Sequence, residues 1–272
     1  MSLLFLAQDL PMKSDQHNTR VSARFSPRAE AYLQSTVHAS GEDLEQMVRL
    51  IGARPGAVAL DMGCGGGHVA FRLASLVDQV IAYDLSGRML AVVAEEARRR
   101  ALDNIVTIQG SVEVLPYSAE SFDIVVSRYS AHHWRDVPAG LAEMRRVLKP
   151  GGIAVFMDVT APDVPLLDTW LQSLELLRDP SHVRDASLAE WQSMLTEAGF
   201  VPGVVTKFRL RLGFAEWIER MNTPEVHVAA IRSLQELAVD EIRHYFEIAA
   251  DGSFTVDTLL MMAGTDAEPS GR

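Results

Sequence analysis

The chain has 272 residues, 48% hydrophobic and 22% charged, enough for one filled core with insertions or for two small domains. Its formal charge of −11 argues against a nucleic-acid partner, because phosphates call for a basic surface. The lone cysteine, Cys64, excludes an intrachain disulfide and a cysteine zinc centre and makes a reducing cytoplasm the expected home.

Residues 1–40 carry little pattern and read as an N-terminal segment able to act as a lid. Met1–Ala7 is apolar but shorter than the apolar stretch of a signal peptide, and no basic residue precedes it. Lys13–Arg20 reads as loose and polar, whereas Phe25, Ala29 and Tyr32 fall at helical spacing. Leu44, Met47, Val48 and Ile51 predict a helix after Gly41, stopped by Gly52 and Pro55. Ala57–Asp61 then reads as a short buried strand, broken by Met62-Gly63-Cys64-Gly65-Gly66-Gly67, before His68–Leu76 resumes a helical pattern. A strand, a glycine-rich turn and a helix start form a nucleotide-binding corner, where any side chain would hold the backbone off the ligand.

Asp61, Gly63, Gly65 and Gly67 fall at alternate positions, while Gly65, Gly67 and Ala70 also satisfy a dinucleotide fingerprint, so glycine alone does not decide. The acid separates the two. A carboxylate facing the loop repels a pyrophosphate but suits a ligand carrying an ammonium and a sulfonium, as S-adenosylmethionine does.

Gln79–Tyr83 reads as a second buried strand ending at Asp84, an acid placed to accept the hydroxyls of a bound ribose. A long helix follows to about Ala101, capped by Ser86. Asn104–Gln109 is a third strand and leads into the loop Gly110–Tyr117. Phe122–Ser127 is a fourth, buried on both faces, running into Arg128-Tyr129-Ser130-Ala131-His132-His133-Trp134 at the carboxyl edge of the sheet. A helix from about Asp136 to Leu148, the turn Leu148–Gly152 and the strand Ile153–Met157 come next. Asp163–Arg178 is amphipathic, and Ser187 with Glu190 forms a capping box for a helix ended by Gly199. Val204–Leu212 alternates like an edge strand. Phe214–Met221 follows, then a helix begun by Thr223 with Pro224 at its first position. Asp251-Gly252 signals a hairpin between Tyr245–Ala249 and Phe254–Met262, and the tail from Thr265 reads as loose. No window approaches a membrane span.

The segment ALDMGCGGGHVA (59–70) resembles the first motif of the class I S-adenosylmethionine-dependent methyltransferases. D-L-S-x-x-M-L at 84–90 and EMRRVLKPGG at 143–152 resemble later landmarks of that family, and the likeness extends over roughly residues 44–160. It implies a doubly wound, Rossmann-like α/β sheet of seven strands, mostly parallel with one antiparallel strand, assigned to Phe254–Met262. Residues 41–264 then form one methyltransferase domain with a helical insertion at 213–246, which could roof the site together with residues 1–40 and 161–185; 265–272 are a tail.

The resemblance also implies S-adenosyl-L-methionine as cofactor, methyl transfer to a small molecule by in-line displacement, and a donor site drawn from Asp61, Gly63, Cys64, Gly65, Gly67, Asp84, Leu85, Met89, Ser111, Val112, Glu113 and Ser127. Family members usually carry an aspartate where Ser111 stands, accepting from the adenine amino group; Glu113 could compensate. For the acceptor, His132, His133 and Tyr129 are the candidate catalytic groups, with Asp158 behind them. Adjacent residues in an extended segment point oppositely, so one histidine at most should face the reacting methyl. No metal is expected, since neither histidine has a partner at recognisable ligand spacing. Phe25, Tyr32, Trp170, Phe214 and Trp217 read as core. An NAD-dependent oxidoreductase and a non-methylating domain that binds the same cofactor stay open as alternatives, and the oligomeric state is unassigned.

Overall fold

The computed structural model describes residues 16–34 and 41–265. Within them seven strands form one sheet in the order β3-β2-β1-β4-β5-β7-β6. These are β1 (Arg54–Met62), β2 (Val77–Asp84), β3 (Ile105–Gln109), β4 (Phe122–Arg128), β5 (Leu148–Val159), β6 (Val201–Leu212) and β7 (Phe254–Gly264). The first five pair parallel where they are neighbours; β7 runs antiparallel to both β5 and β6. The sheet is therefore the doubly wound one expected, with its single reversed strand in the expected place. Strand order reverses between β1 and β4, and open α/β sheets hold ligands beyond the carboxyl ends at that switch point.

Alternation along each central strand feeds two cores. Leu60, Met62, Ile81, Tyr83, Val125 and Phe156 face helices α6 (Val137–Val147) and α8 (Leu188–Glu197) through Leu141, Met144, Trp191 and Leu195. Ala59, Val80, Ala82, Ile124, Val126 and Val155 face α3 (Glu42–Ile51), α4 (His68–Leu73) and α5 (Gly87–Arg99), with Leu44, Met47 and Val93 between. A third cluster gathers α7 (Pro165–Arg178) with α9 (Phe214–Arg220), α10 (Glu225–Glu236) and α11 (Asp240–Tyr245) around Trp170, Trp217, Phe246 and Phe254. Capping follows the sequence signals: Ser86 Oγ accepts from Met89 N at 3.2 Å, and Ser187 and Glu190 bond reciprocally.

Several expectations are corrected. Gln16–Phe25 is a helix (α1) although Lys13–Arg20 was expected to be loose; the helical spacing of Phe25, Ala29 and Tyr32 is met by a second helix, Ala29–Gln34 (α2), after a 3-10 turn. Residues 13–15 lie outside the described residues. Only Asn18 and Val21 of α1 are buried, three residues apart, too narrow a stripe to register as periodicity. Residues 148–152 are not a free turn: β5 begins at Leu148, and the Pro-Gly-Gly segment is a bulge between the pairings Phe122–Leu148 and Ile124–Ile153. Pro224 is the residue before α10 and not its first, its carbonyl accepting from His227 N and Val228 N. Asp251-Gly252 makes no hairpin, because Tyr245 ends α11; Asp251 instead binds Ser253 N and Oγ, each at 2.9 Å, and turns the chain into β7. Thr265, expected loose, is buried and accepts from Gly151 N at 2.9 Å; the rest of that tail lies outside the described residues.

Candidate active site

The glycine turn is built by backbone bonds that bring two acids together. Gly63 N and Cys64 N both donate to Tyr83 O, at 2.8 and 3.0 Å, and Gly67 N closes the turn on Cys64 O at 2.8 Å. Gly63, Gly65 and Gly67 all have positive φ. A Cβ on Gly63 would sit 1.9 Å from Ser130 Oγ and one on Gly67 2.9 Å from Val93, so those two glycines serve packing. A Cβ on Gly65 would meet no protein atom within 4 Å. It would instead project into a cavity of about 950 Å³, mouth included.

Asp61 and Asp84 line that cavity and are almost wholly buried or half-buried respectively. Asp61 Oδ2 accepts from Ala70 N, at the start of α4, at 3.1 Å. Burial, opposed by that bond and reinforced by the Asp84 charge, pushes its carboxyl up to about 7. Asp84 Oδ2 accepts from Gly65 N at 2.9 Å and Oδ1 from Ser86 N at 2.8 Å, tying the glycine turn to the start of α5; burial raises its carboxyl as well. Cys64, Leu85, Met89, Val112 and Glu113 complete this wall. The thiol is held well above its ordinary range by burial, then by Asp84 and Asp61, and so stays protonated.

Three expected donor-site residues lie elsewhere. Gly67 is behind the turn, Ser127 is buried with an unbonded Oγ, and Ser111 is outside the cavity wall, its Oγ accepting from Asn18 Nδ2 at 3.2 Å and bonded to Glu113. The opposite wall comes from the segment expected to roof the site, although none of its residues stood among the expected site residues. Asn18, Val21, Ser22 and Phe25 of α1 and Tyr32 of α2 cover the mouth, joined to the sheet side by Ser26–Ser86 at 2.8 Å and His68 Nε2–Tyr32 O at 2.9 Å. Arg128, also on the wall, is neutralised by Asp43 at 2.5 Å.

The histidine pair departs from the extended geometry expected of it. Ala131–His133 is a 3-10 turn, so both rings lie on one side with centroids 4.2 Å apart. His132 Nδ1 donates to Asp158 Oδ1 at 2.5 Å. Burial disfavours its charge, but the Asp158 carboxylate outweighs this and holds the ring up at about 9. His133 donates from Nδ1 to Ser181 O at 3.2 Å and is pushed down to about 3 by burial and by the His132 charge. Tyr129, at φ 51°, stands between this pair and the glycine turn, and burial raises its hydroxyl. His132, Asp158 and Asp185 do converge, one ligand atom from each within 4.8 Å, which sequence spacing could not show. Two ligands about 2 Å from a shared metal sit about 3 Å apart. The 2.5 Å separation of His132 Nδ1 and Asp158 Oδ1 is that of a hydrogen bond.

Comparison with known proteins gives the family. A family described as "Methyltransferase domain" matches residues 60–156. The chain is 48% identical over 201 residues to YafE of Escherichia coli K12, covering 74% of this chain and 97% of that protein. It is 37% identical over 222 residues to the methyltransferase YcgJ of Bacillus subtilis, covering 82% and 88%. The YcgJ crystal structure superposes with a TM-score of 0.79 over 83% of this chain and 99% of that one, at 33% identity. The chain belongs to the class I S-adenosylmethionine-dependent methyltransferases. Its cofactor is S-adenosyl-L-methionine, the methyl donor. A further relative, the 2-phytyl-1,4-naphtoquinone methyltransferase of Synechococcus elongatus, is 36% identical over 129 residues, 46% of this chain and 55% of that one. In this methyltransferase the motif region lines one side of the cavity, while α1, α2 and the histidine turn line the other.

Proposed function

We propose that Asp61 takes the ammonium group of the methyl donor, Asp84 its ribose hydroxyls, Leu85, Met89 and Val112 the faces of its adenine, and Glu113 the adenine edge. When bound, the donor supplies an already activated, electrophilic methyl group. The chain's own task is alignment and exclusion of water, worth roughly 7–11 kcal/mol in well-ordered sites. Residues 16–34 act as the lid: Phe25 packs on His133 with centroids 4.8 Å apart, closing the cavity over the Tyr129 side.

Neither histidine is a ready proton acceptor at neutral pH, His132 being already charged and His133 too weakly basic. Tyr129 keeps its proton. The acceptor therefore arrives ionised, or loses its proton to solvent, and His132 with Asp158 orients the wall it meets. The observation that carries the donor assignment is the pair of carboxylates, Asp61 buried and Asp84 half-buried, beside an open Gly65, with the one arginine on the wall among the described residues already paired with Asp43. That arrangement repels a pyrophosphate.

Calorimetry tests the reading: S-adenosylmethionine and S-adenosylhomocysteine should bind, and NAD should give no heat. Tight NAD binding with silence from both sulfur ligands would overturn it.

A further inference from the structure

Behind the donor cavity lies a second, of about 620 Å³ with its mouth, sharing Phe25, Tyr32, Tyr129 and His133 with the first. Its wall is mostly aromatic and aliphatic, with Trp217, Leu210 and Leu212 added from the C-terminal half. Set into this wall is Arg220, the last residue of α9. The arginines around it each hold at least one bond, although Arg24 Nε and Arg28 Nε are also unbonded. Arg178 binds Glu175 Oε2 and Trp217 O, Arg28 binds Met221 O, and Arg24 approaches Asp179 at 3.6 Å. Arg220 makes no hydrogen bond or ion pair among the described residues, and its Nε is buried without a partner. A buried guanidinium N–H left unbonded is costly, and proteins rarely keep one without a use. The same cavity wall carries His132. Of its acids, Glu175 is held by Arg178, and Asp185 packs beside His132.

We propose that this second cavity is the acceptor subsite and that Arg220 binds an anionic group, carboxylate or phosphate, of an otherwise aromatic or apolar acceptor. A planar guanidinium suits either anion through paired N–H donors, and the aromatic wall suits the remainder. The shared residues Tyr129 and His133 put the anion's far end toward the donor cavity. The assignment rests on the methyltransferase reading of that cavity.

The test uses the full chain saturated with S-adenosylhomocysteine, titrated with benzoate, phenyl phosphate and neutral benzamide. At least one anion should bind ten times or more tighter than benzamide, and whichever of the two wins names the head group. Arg220→Gln should weaken that anion tenfold or more while S-adenosylhomocysteine affinity, the check on folding, is unchanged; Arg220→Lys should retain part of the binding. Benzamide binding as well as the anions, no anion binding at all, or an unaffected Arg220→Gln would each overturn the subsite. Failure of S-adenosylhomocysteine to bind the wild type would instead remove the donor site, and this proposal with it.

Discussion

Asp61→Asn separates what the fold wants from what the donor wants. The asparagine carbonyl can still accept from Ala70 N, so the start of α4 keeps its bond while the charge goes. An aspartate that ionises near 3.8 in the unfolded chain and near 7 in the native one is protonated more readily when folded. Stability from this group is therefore full below pH 4, falls as pH rises from about 4 to about 7, and is flat above. At about 1.36 kcal/mol per pKa unit, the climb from 3.8 to about 7 makes the ionised, buried carboxylate cost about 4 kcal/mol at pH 8. Removing the charge should thus stabilise the empty protein at pH 8 by an amount of that order and change little at pH 4. Donor binding should move the other way, losing a charge-assisted bond of about 1.5–3 kcal/mol, roughly ten- to a hundredfold in Kd. Urea unfolding at the two pH values, with calorimetry of S-adenosylhomocysteine at pH 8, measures both. Equal stability of the two proteins at pH 8, or unchanged affinity in the variant, would refute the reasoning.

Asp84→Ala should weaken S-adenosylhomocysteine by about one to two orders of magnitude, since it removes the ribose acceptor and also frees Gly65 N and Ser86 N; unchanged affinity in a folded variant would leave the acid only its role in the turn. Ser111→Asp should leave binding level or worse, because Ser111 is off the cavity wall and bonded to Glu113, so the new carboxylate faces an existing one. Glu113→Gln should weaken binding severalfold, and a gain from Ser111→Asp measured by the same calorimetry would place adenine on residue 111 instead.

The half of the site assigned to the donor could be read from the sequence because the residues proposed for it are consecutive or one strand apart. Asp61 and the glycines that follow it form one corner, and Asp84 one strand later meets that corner through Gly65 N. The spacing of Gly67 matches that of Gly63 and Gly65 and predicts a place on the wall, yet its positive φ and the closeness of Val93 to where a Cβ would stand give it a packing role. Spacing reports the backbone conformation a glycine allows, not which way the missing side chain would have pointed. Likewise His132 and His133 were read as extended and divergent, since two adjacent histidines leave no trace of a 3-10 turn in the sequence.

The acceptor half was hidden for a different reason: its wall is assembled from segments far apart in the chain. Phe25, Tyr32 and Trp217 each show the helical spacing of core residues, and Trp217 is indeed only 2% exposed, packed on Phe254 with centroids 5.0 Å apart. The same ring also borders the second cavity. An aromatic at an inner helix position satisfies both roles with one set of contacts, so periodicity cannot tell them apart. Polar satisfaction can, because a buried N–H without a partner is costly. Arg220 follows three residues after Trp217 in the same short helix, where a cation in the last turn looks fully accounted for by the helix dipole. Only the folded chain shows that its Nε is turned inward without a partner. On the proposed assignment, the donor is marked by acids beside glycines that neighbour one another in sequence, and the acceptor by Arg220, whose neighbours come from distant parts of the chain.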